Sequence, residues 1–319
     1  MSKRLRKIVT ILAAALVVGC EAPPEPVRVG MLVWPPYELA HLAQHRGYFE
    51  TDRVELVDFR TPAEMVRSYR YGIIDAMYVT SQFALTNADS LADSRIVHLI
   101  DFSYGGDALL ASTGIRDASE LEGKRVGMEA GPLGAYTMIR ALEDHGLARE
   151  DVEIVFVDTP YQLDAFRAGR IDALATYEPT RTQLLELGAH ELFNSRAIPL
   201  EIIDVLLARD EVIETKAVML AELVRGVDRA LADYRSSPDE SVALMASRQG
   251  ISPTAFEEAM DGVRLLNLED NLALLSGNDE RLKRGLVRQC DVMLQAGMIE
   301  SAPDIERLID IRIVEMADE

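Results

Sequence analysis

Cysteine is scarce in this chain, basic charge is in deficit, and no catalytic signature is present; each shortage removes a class of protein. Of 319 residues only Cys20 and Cys290 are cysteines, which excludes a disulfide framework, a cysteine-rich zinc site and an iron–sulfur cluster. Basic side chains number 33 against 53 acidic ones, a formal charge of −20. Four of the basic residues, Lys3, Arg4, Arg6 and Lys7, stand at the extreme N-terminus. Without them 29 basic residues face 53 acidic ones, a charge of about −24. No basic stripe is left to follow a phosphate backbone, so nucleic acid is not an expected partner, nor is extended contact with anionic lipid. Gly-x-Ser-x-Gly, His-Glu-x-x-His and the phosphate-cradling Gly-rich Lys-Ser/Thr loop are all missing, so nothing points to an enzyme or to a bound cofactor. The five histidines are scattered. His41 and His45 share a helix face at i, i+4 but have no third ligand beside them, and are read as solvated helix residues rather than a metal site.

The N-terminal end is read as an address. After the basic head, residues 8–18 form a largely apolar run, too short for the roughly 30 Å hydrocarbon layer of a bilayer and therefore an export signal. Leu16-Val17-Val18-Gly19-Cys20 resembles a bacterial lipobox. That resemblance makes residues 1–19 a cleaved signal, Cys20 the acylated first residue of the mature chain, and residues 20–26, with Pro23, Pro24 and Pro26, a stiff polar tether. Glu21 is not the Asp that commonly marks inner-membrane retention, so the outer membrane is favoured if the source is Gram-negative. Acyl chains contribute about 0.8 kcal/mol per buried methylene. Cys20→Ala is therefore expected to move the protein from the membrane fraction to soluble or unprocessed material on cell fractionation. Mature wild-type protein found in the soluble fraction would remove the anchor. With Cys20 acylated, Cys290 stands alone in a helical pattern and is read as a buried structural thiol.

What the chain does contain is a sentence written twice. Gly47, Asp52, Val54-Glu55-Leu56-Val57-Asp58 and Gly72-Ile73-Ile74-Asp75-Ala76-Met77-Tyr78-Val79-Thr80 are answered by Gly146, Asp151, Val152-Glu153-Ile154-Val155 and Gly169-Arg170-Ile171-Asp172-Ala173-Leu174-Ala175-Thr176. Each copy alternates apolar β-branched runs with a helical stretch, the pattern of a βαβ unit in a parallel sheet. Two copies predict two α/β lobes. Because ligands in open α/β sheets bind beyond the carboxyl ends of the strands, the site is expected in the cleft between them. Asp75 and Asp172 precede their strands and are read as structural. A polar stretch at 116–123 passes to the second lobe, and the strand at 203–208 crosses back. From residue 210 the pattern is almost wholly helical, with helices predicted at 211–235, 238–249, 252–261 and 278–296 and starts marked by Ser237-Pro238 and Ser252-Pro253. One lobe is thus expected to comprise residues 27–112 plus 209–319 and the other 113–208, with the two crossings acting as a hinge.

Five pieces in register carry a family resemblance: Trp34-Pro35-Pro36-Tyr37-Glu38, the two Gly-x-Ile-Asp-Ala repeats, the run from Asp101 through Tyr104-Gly105-Gly106-Asp107, the run from Asp117 to Lys124, and Thr176-Tyr177-Glu178-Pro179. Over roughly residues 27–210 they resemble the substrate-binding proteins of nitrate, sulfonate, taurine and thiamin-precursor ABC importers. The resemblance implies a type 2 periplasmic binding protein fold, with two parallel-sheet lobes joined by two crossovers and a helical C-terminal region. It implies a monomer that captures a small-molecule ligand and delivers it to an ABC permease. A ligand-sensing receptor for a membrane signalling protein is the alternative of another class, and a binder of a small anion such as nitrate or sulfonate is the alternative within this one. Pyrimidine synthases of this fold rely on a Cys-rich motif, and this chain has none.

Read from the residues themselves, the predicted ligand contacts are Trp34, Tyr37, Thr80, Ser81, Asp107, Gly134, Thr176, Tyr177 and Glu178. Trp34, the only Trp, sits where a strand ends and is either core or a platform for a planar or cationic ligand. Tyr37 and Tyr177 flank the same position. Thr80-Ser81 and Thr176 end the two repeated strands, where hydroxyls serve ligands or turns. Glu178, joined by Asp107, would repel an inorganic anion and favour an amine or a protonated heterocycle. Gly134 belongs to a glycine-flanked helix start whose free N–H groups suit an anion, so a zwitterion, such as an aminosulfonate, also fits.

Overall fold

The repeated stretches fold as two matching parallel units. In the computed structural model, which describes residues 25–319, Val27–Met31 (β1) pairs in parallel with Val54–Asp58 (β2) and with Ala76–Thr80 (β3). Arg125–Met128 (β6) pairs in parallel with Glu153–Phe156 (β7) and Ala173–Tyr177 (β8). The expected signal, Cys20 and most of the tether lie outside the described residues.

Equivalent residues hold both units. Asp75 accepts from the Arg28 N–H at 2.8 Å and from Lys216 Nζ at 3.0 Å, and Asp172 accepts from the Arg125 N–H at 2.9 Å and Nη2 at 2.8 Å. The sequence separation from Arg to Asp is 47 residues in both copies. Burial works against the charge on Asp75, but the Arg28 and Lys216 donors outweigh it and hold its carboxyl below the usual range. The Arg125 side chain does the same for Asp172. Gly30 and Gly127 leave room for the Ile before each Asp: a Cβ would stand 2.4 Å from Ile74 Cδ1 and 2.7 Å from Ile171 Cδ1.

Outside these parallel cores the sheets are mixed. The first sheet has the order β11-β4-β10-β3-β1-β2, where Ser94–Ser103 is β4, Ile203–Arg209 is β10 and Val263–Leu265 is β11. The second has the order β7-β6-β8-β5-β9, with Asp107–Ala111 as β5 and His190–Asn194 as β9. β10 runs antiparallel to β3 and β4, and β5 antiparallel to β8 and β9. The reason is the crossings: a strand that enters a sheet at its cleft edge must run away from the cleft, opposite to the βαβ strands that end there.

The lobe boundaries shift for the same reason. β5 belongs to the second sheet, not to a first lobe of residues 27–112, and β10 belongs to the first sheet, not to a second lobe of 113–208. The chain crosses at residues 104–106 and returns at 198–202. The outward crossing is only three residues long because Gly105 takes φ +117, a region that side chains rarely enter. Ser195 fixes it: its Oγ accepts from the Gly105 N–H at 2.6 Å and lies 2.8 Å from Ser103 Oγ.

The tail forms helices Asp210–Ser236, Pro238–Gln249, Pro253–Met260, Leu268–Leu275 and Arg281–Gln295, then two short ones, Ile305–Leu308 and Arg312–Asp318. Ser252 caps its helix, accepting from the Ala255 N–H at 3.1 Å, whereas Ser237 makes no side-chain cap. Asn271 docks the tail on β4, donating to the Leu99 carbonyl at 2.8 Å and accepting from its N–H at 2.7 Å. His41 is buried, not solvated: Nε2 lies 2.9 Å from Asp58 Oδ1 and 2.9 Å from Arg248 Nη2. Cys290 is buried in its helix, and burial pushes its thiol up to about 11.

Candidate functional site

Every parallel strand ends at one edge of its sheet, and the two edges enclose a cleft of about 620 Å³, part of it open to solvent. From the first sheet it is lined by Leu32 to Trp34 after β1, by Tyr37, by Val79 and Thr80 at the end of β3, and by Asp204 at the start of β10. From the second come Asp107 at the start of β5, Glu129 after β6, Tyr177 at the end of β8, and Gly131 to Leu133 at the start of helix Pro132–Asp144. Pro62, Met65, Val66 and Phe83 complete an apolar wall.

The aromatic corner is built from the Trp-Pro-Pro-Tyr run. Trp34 is extended, and the prolines after it start a single turn, Pro35–Tyr37, that leads into helix Glu38–His45. Trp34 packs edge-on against Tyr177 at 6.1 Å. Its indole N–H donates to Asp101 Oδ2 at 3.1 Å. Gly106 makes this seat possible, since a Cβ there would stand 2.7 Å from the indole ring. Tyr37 stacks at a tilt on Tyr78 at 5.2 Å and donates its hydroxyl to Asp204.

The charged side chains of the cleft are all acidic. Glu129 accepts from Thr159 Oγ1 at 2.9 Å and Tyr177 OH at 3.1 Å. Burial, then the charges of Glu129 and Glu178, push the Asp107 carboxyl up to about 7. Burial pushes Asp101, behind Trp34, up to about 8, and lifts Asp204 well above its ordinary value. Glu129 is raised by burial as well. Three carboxyl groups line the cleft, and among the described residues no Lys, Arg or His does. Among the described residues no group of His, Cys, Asp and Glu is placed to hold a metal ion.

Of the nine predicted contacts, the structure brings five together in the cleft: Trp34, Tyr37, Thr80, Asp107 and Tyr177. The other four are corrected. Ser81 is fully buried and donates to Gln289 Oε1 at 2.8 Å, joining helix Ser81–Thr86 to the tail. Thr176 points the opposite way from its strand neighbour Tyr177, as side chains in a strand must, and donates to Gln162 at 2.6 Å. Gly134 lies one position beyond the lining and serves packing, since a Cβ there would stand 3.0 Å from the Glu129 carbonyl oxygen.

Glu178 is the largest correction. It is fully buried but turned into helix Thr180–Glu186, where it accepts from the Thr182 N–H and Oγ1 at 3.0 Å each and from Arg181 Nη1 at 2.9 Å. Its charge is taken up by Arg181 and the helix start. Glu178→Gln is accordingly expected to cost about 1.5–3 kcal/mol of stability, the range for hydrogen bonds to a charged group, measured by urea denaturation. A variant as stable as the wild type would contradict this role.

Asp101, Asp204 and Glu129 are not among the contacts that the sequence pattern predicts. Asp204 and Glu129 are lone acids among apolar residues, and only the strand pairing brings them to Asp107. The apolar wall carried no local signal either.

Comparison with known proteins fits this architecture. A protein of Brucella abortus described only as a candidate binding protein is 22% identical over 292 residues, 88% of each chain. The taurine-binding periplasmic protein of Escherichia coli K12 is 21% identical over 96% of this chain and 98% of its own. The alkanesulfonate-binding protein SsuA from Xanthomonas axonopodis pv. citri, bound to MOPS, superposes with a TM-score of 0.72 at 18% identity, covering 93% of this chain and 98% of its own. The fold is thus that of the periplasmic binding proteins. The family model described as NMT1/THI5 like matches residues 39–241, more than half of the chain and both sides of the cleft, and the protein belongs to that family.

Proposed function

We propose that the protein is a lipid-anchored, extracytoplasmic solute-binding component of an ABC importer. On this reading it closes two lobes around a small organic molecule that has an apolar body and a cationic or strongly hydrogen-bond-donating group. The observation that carries the ligand class is the lining: Asp107, Asp204 and Glu129 with no basic side chain among them. An inorganic anion would enter without a counter-charge and beside carboxyl groups, whereas an amine or protonated heterocycle supplies the missing positive charge. Phe83, Met65 and Leu133 offer the body an apolar wall, and Trp34 and Tyr177 offer an aromatic corner.

A second reading, a zwitterion such as an aminosulfonate, is favoured by Gly131 to Leu133, which bring the start of a 13-residue helix to the same cleft. Backbone N–H groups there suit a sulfonate while the carboxyl groups hold the amine.

Thermal unfolding with benzylamine, taurine and benzenesulfonate separates the possibilities. A probe at a hundred times its Kd adds about 2.7 kcal/mol. Benzylamine is expected to raise Tm and benzenesulfonate to leave it unchanged. Stabilisation by taurine alone would select the zwitterion. Stabilisation by benzenesulfonate alone would overturn the cationic reading.

A further inference from the structure

The carboxyl groups at the cleft are arranged in a way that cation capture alone does not require. Asp101 and Asp204 are direct register partners on β4 and β10, and side chains so placed have Cβ atoms about 5 Å apart. Asp101 Oδ2 accepts from Trp34, while Oδ1 is buried with no partner among the described residues. An ionised oxygen left in that state carries a large desolvation cost, which a proton removes. Asp204 accepts from Tyr37 on its other side. Asp107 feels the charges of Glu129 and, more remotely, of the Arg181-paired Glu178, and is itself a register partner of Tyr177. The groups around the cluster are therefore Asp101, Asp107, Asp204, Glu129 and Glu178 with Tyr37 and Tyr177. The nearby cations are engaged elsewhere: Arg181 with Glu178 and Glu191, and Arg196 and Arg264 over the ring of Tyr104.

We propose that the empty cleft stores protons on this cluster and that a cationic group enters by exchange, Asp107, backed by Asp204 and Asp101, releasing its proton to solvent as the cation takes its place. This rests on the cationic reading above. The balance is simple: one O–H bond breaks, water accepts the proton, and the carboxylate left behind pairs with the incoming cation. Burial supplies the bias, holding Asp107 near 7 and Asp101 near 8. Affinity for a cation then rises about tenfold per pH unit up to the neutral range and levels off above it. An anion shows no such rise.

Trp34 reads this chemistry directly. It is the only Trp, and its N–H bonds to Asp101. Its fluorescence, followed without ligand from about pH 5 to about pH 9, is expected to show a reversible transition in the neutral range. Asp101→Asn should abolish the transition, and Asp107→Asn should move its midpoint down by removing a like charge. Benzylamine in excess should lower the midpoint, and benzenesulfonate should not. A flat titration in the wild type, or a transition unaltered in both variants, overturns the proton store. A transition that both variants alter but benzylamine does not move overturns the exchange, and leaves the solute-binding reading to the unfolding screen.

Discussion

Glu201→Ala is expected to be the most damaging single substitution considered for this fold, lowering stability by about 3–5 kcal/mol, the usual loss when one partner of a buried ion pair is removed. Glu201 lies on the return crossing at 198–202 and is buried there. Its carboxylate accepts from Tyr136 OH at 2.6 Å and Arg140 Nε at 2.9 Å, both on helix Pro132–Asp144 of the second lobe, and Arg288 Nε of the tail stands 3.7 Å away. Its backbone carbonyl accepts from Gln82 Nε2 at 2.5 Å. Truncation leaves the buried Tyr136 phenol without its acceptor and the half-buried Arg140 guanidinium with Glu143 as its remaining carboxylate. Glu201→Gln retains the shape and one acceptor, so its loss should be smaller. Urea denaturation of both variants decides the matter, and a loss below about 1 kcal/mol for Glu201→Ala would show that the crossing is held by other contacts.

Asp107→Asn should act in two opposite directions. In the cleft it removes the charge a cation would meet, so the affinity for benzylamine should fall by about 1.5–3 kcal/mol, roughly ten- to a hundredfold or somewhat more. In the empty protein it removes a burden. A carboxyl raised to about 7 binds a proton more tightly folded than unfolded. Its contribution is fully present below the unfolded value of roughly 4 and is lost as pH rises through 7. At pH 8 the wild type therefore buries an uncompensated carboxylate that the variant lacks. The variant should be more stable there, by about 1–2 kcal/mol, and indistinguishable near pH 4. Calorimetric titration and denaturation at the two pH values measure both effects. An affinity unchanged by the substitution would remove Asp107 from the binding residues, and a variant less stable at pH 8 would reverse the assigned burial cost.

Much of this protein was determined by sequence alone, because its signals are local. The two βαβ units, the structural role of Asp75 and Asp172, the proline starts of the helices at 238 and 253, and the placement of Trp34, Thr80 and Tyr177 at the ends of strands all follow from short-range pattern. Apolar periodicity and turn chemistry act over a few residues and survive without tertiary context.

What only the tertiary structure decided depends on strand pairing and on side-chain direction. The three-residue crossing at 104–106 joins two apolar strands of similar character, so nothing local shows that β5 changes sheets. β10 is apolar in the same way, and its membership follows from its partners β3 and β4. Glu178 and Asp107 look alike as acids near a strand end, yet Arg181 and Thr182 draw one carboxylate into a helix start while the other remains facing the cleft. Asp204 joins Asp101 only because two strands a hundred residues apart in the chain align in register. Charge at a site is set by which carboxyl groups lack a cation after folding, and that is a property of pairing in space rather than of composition.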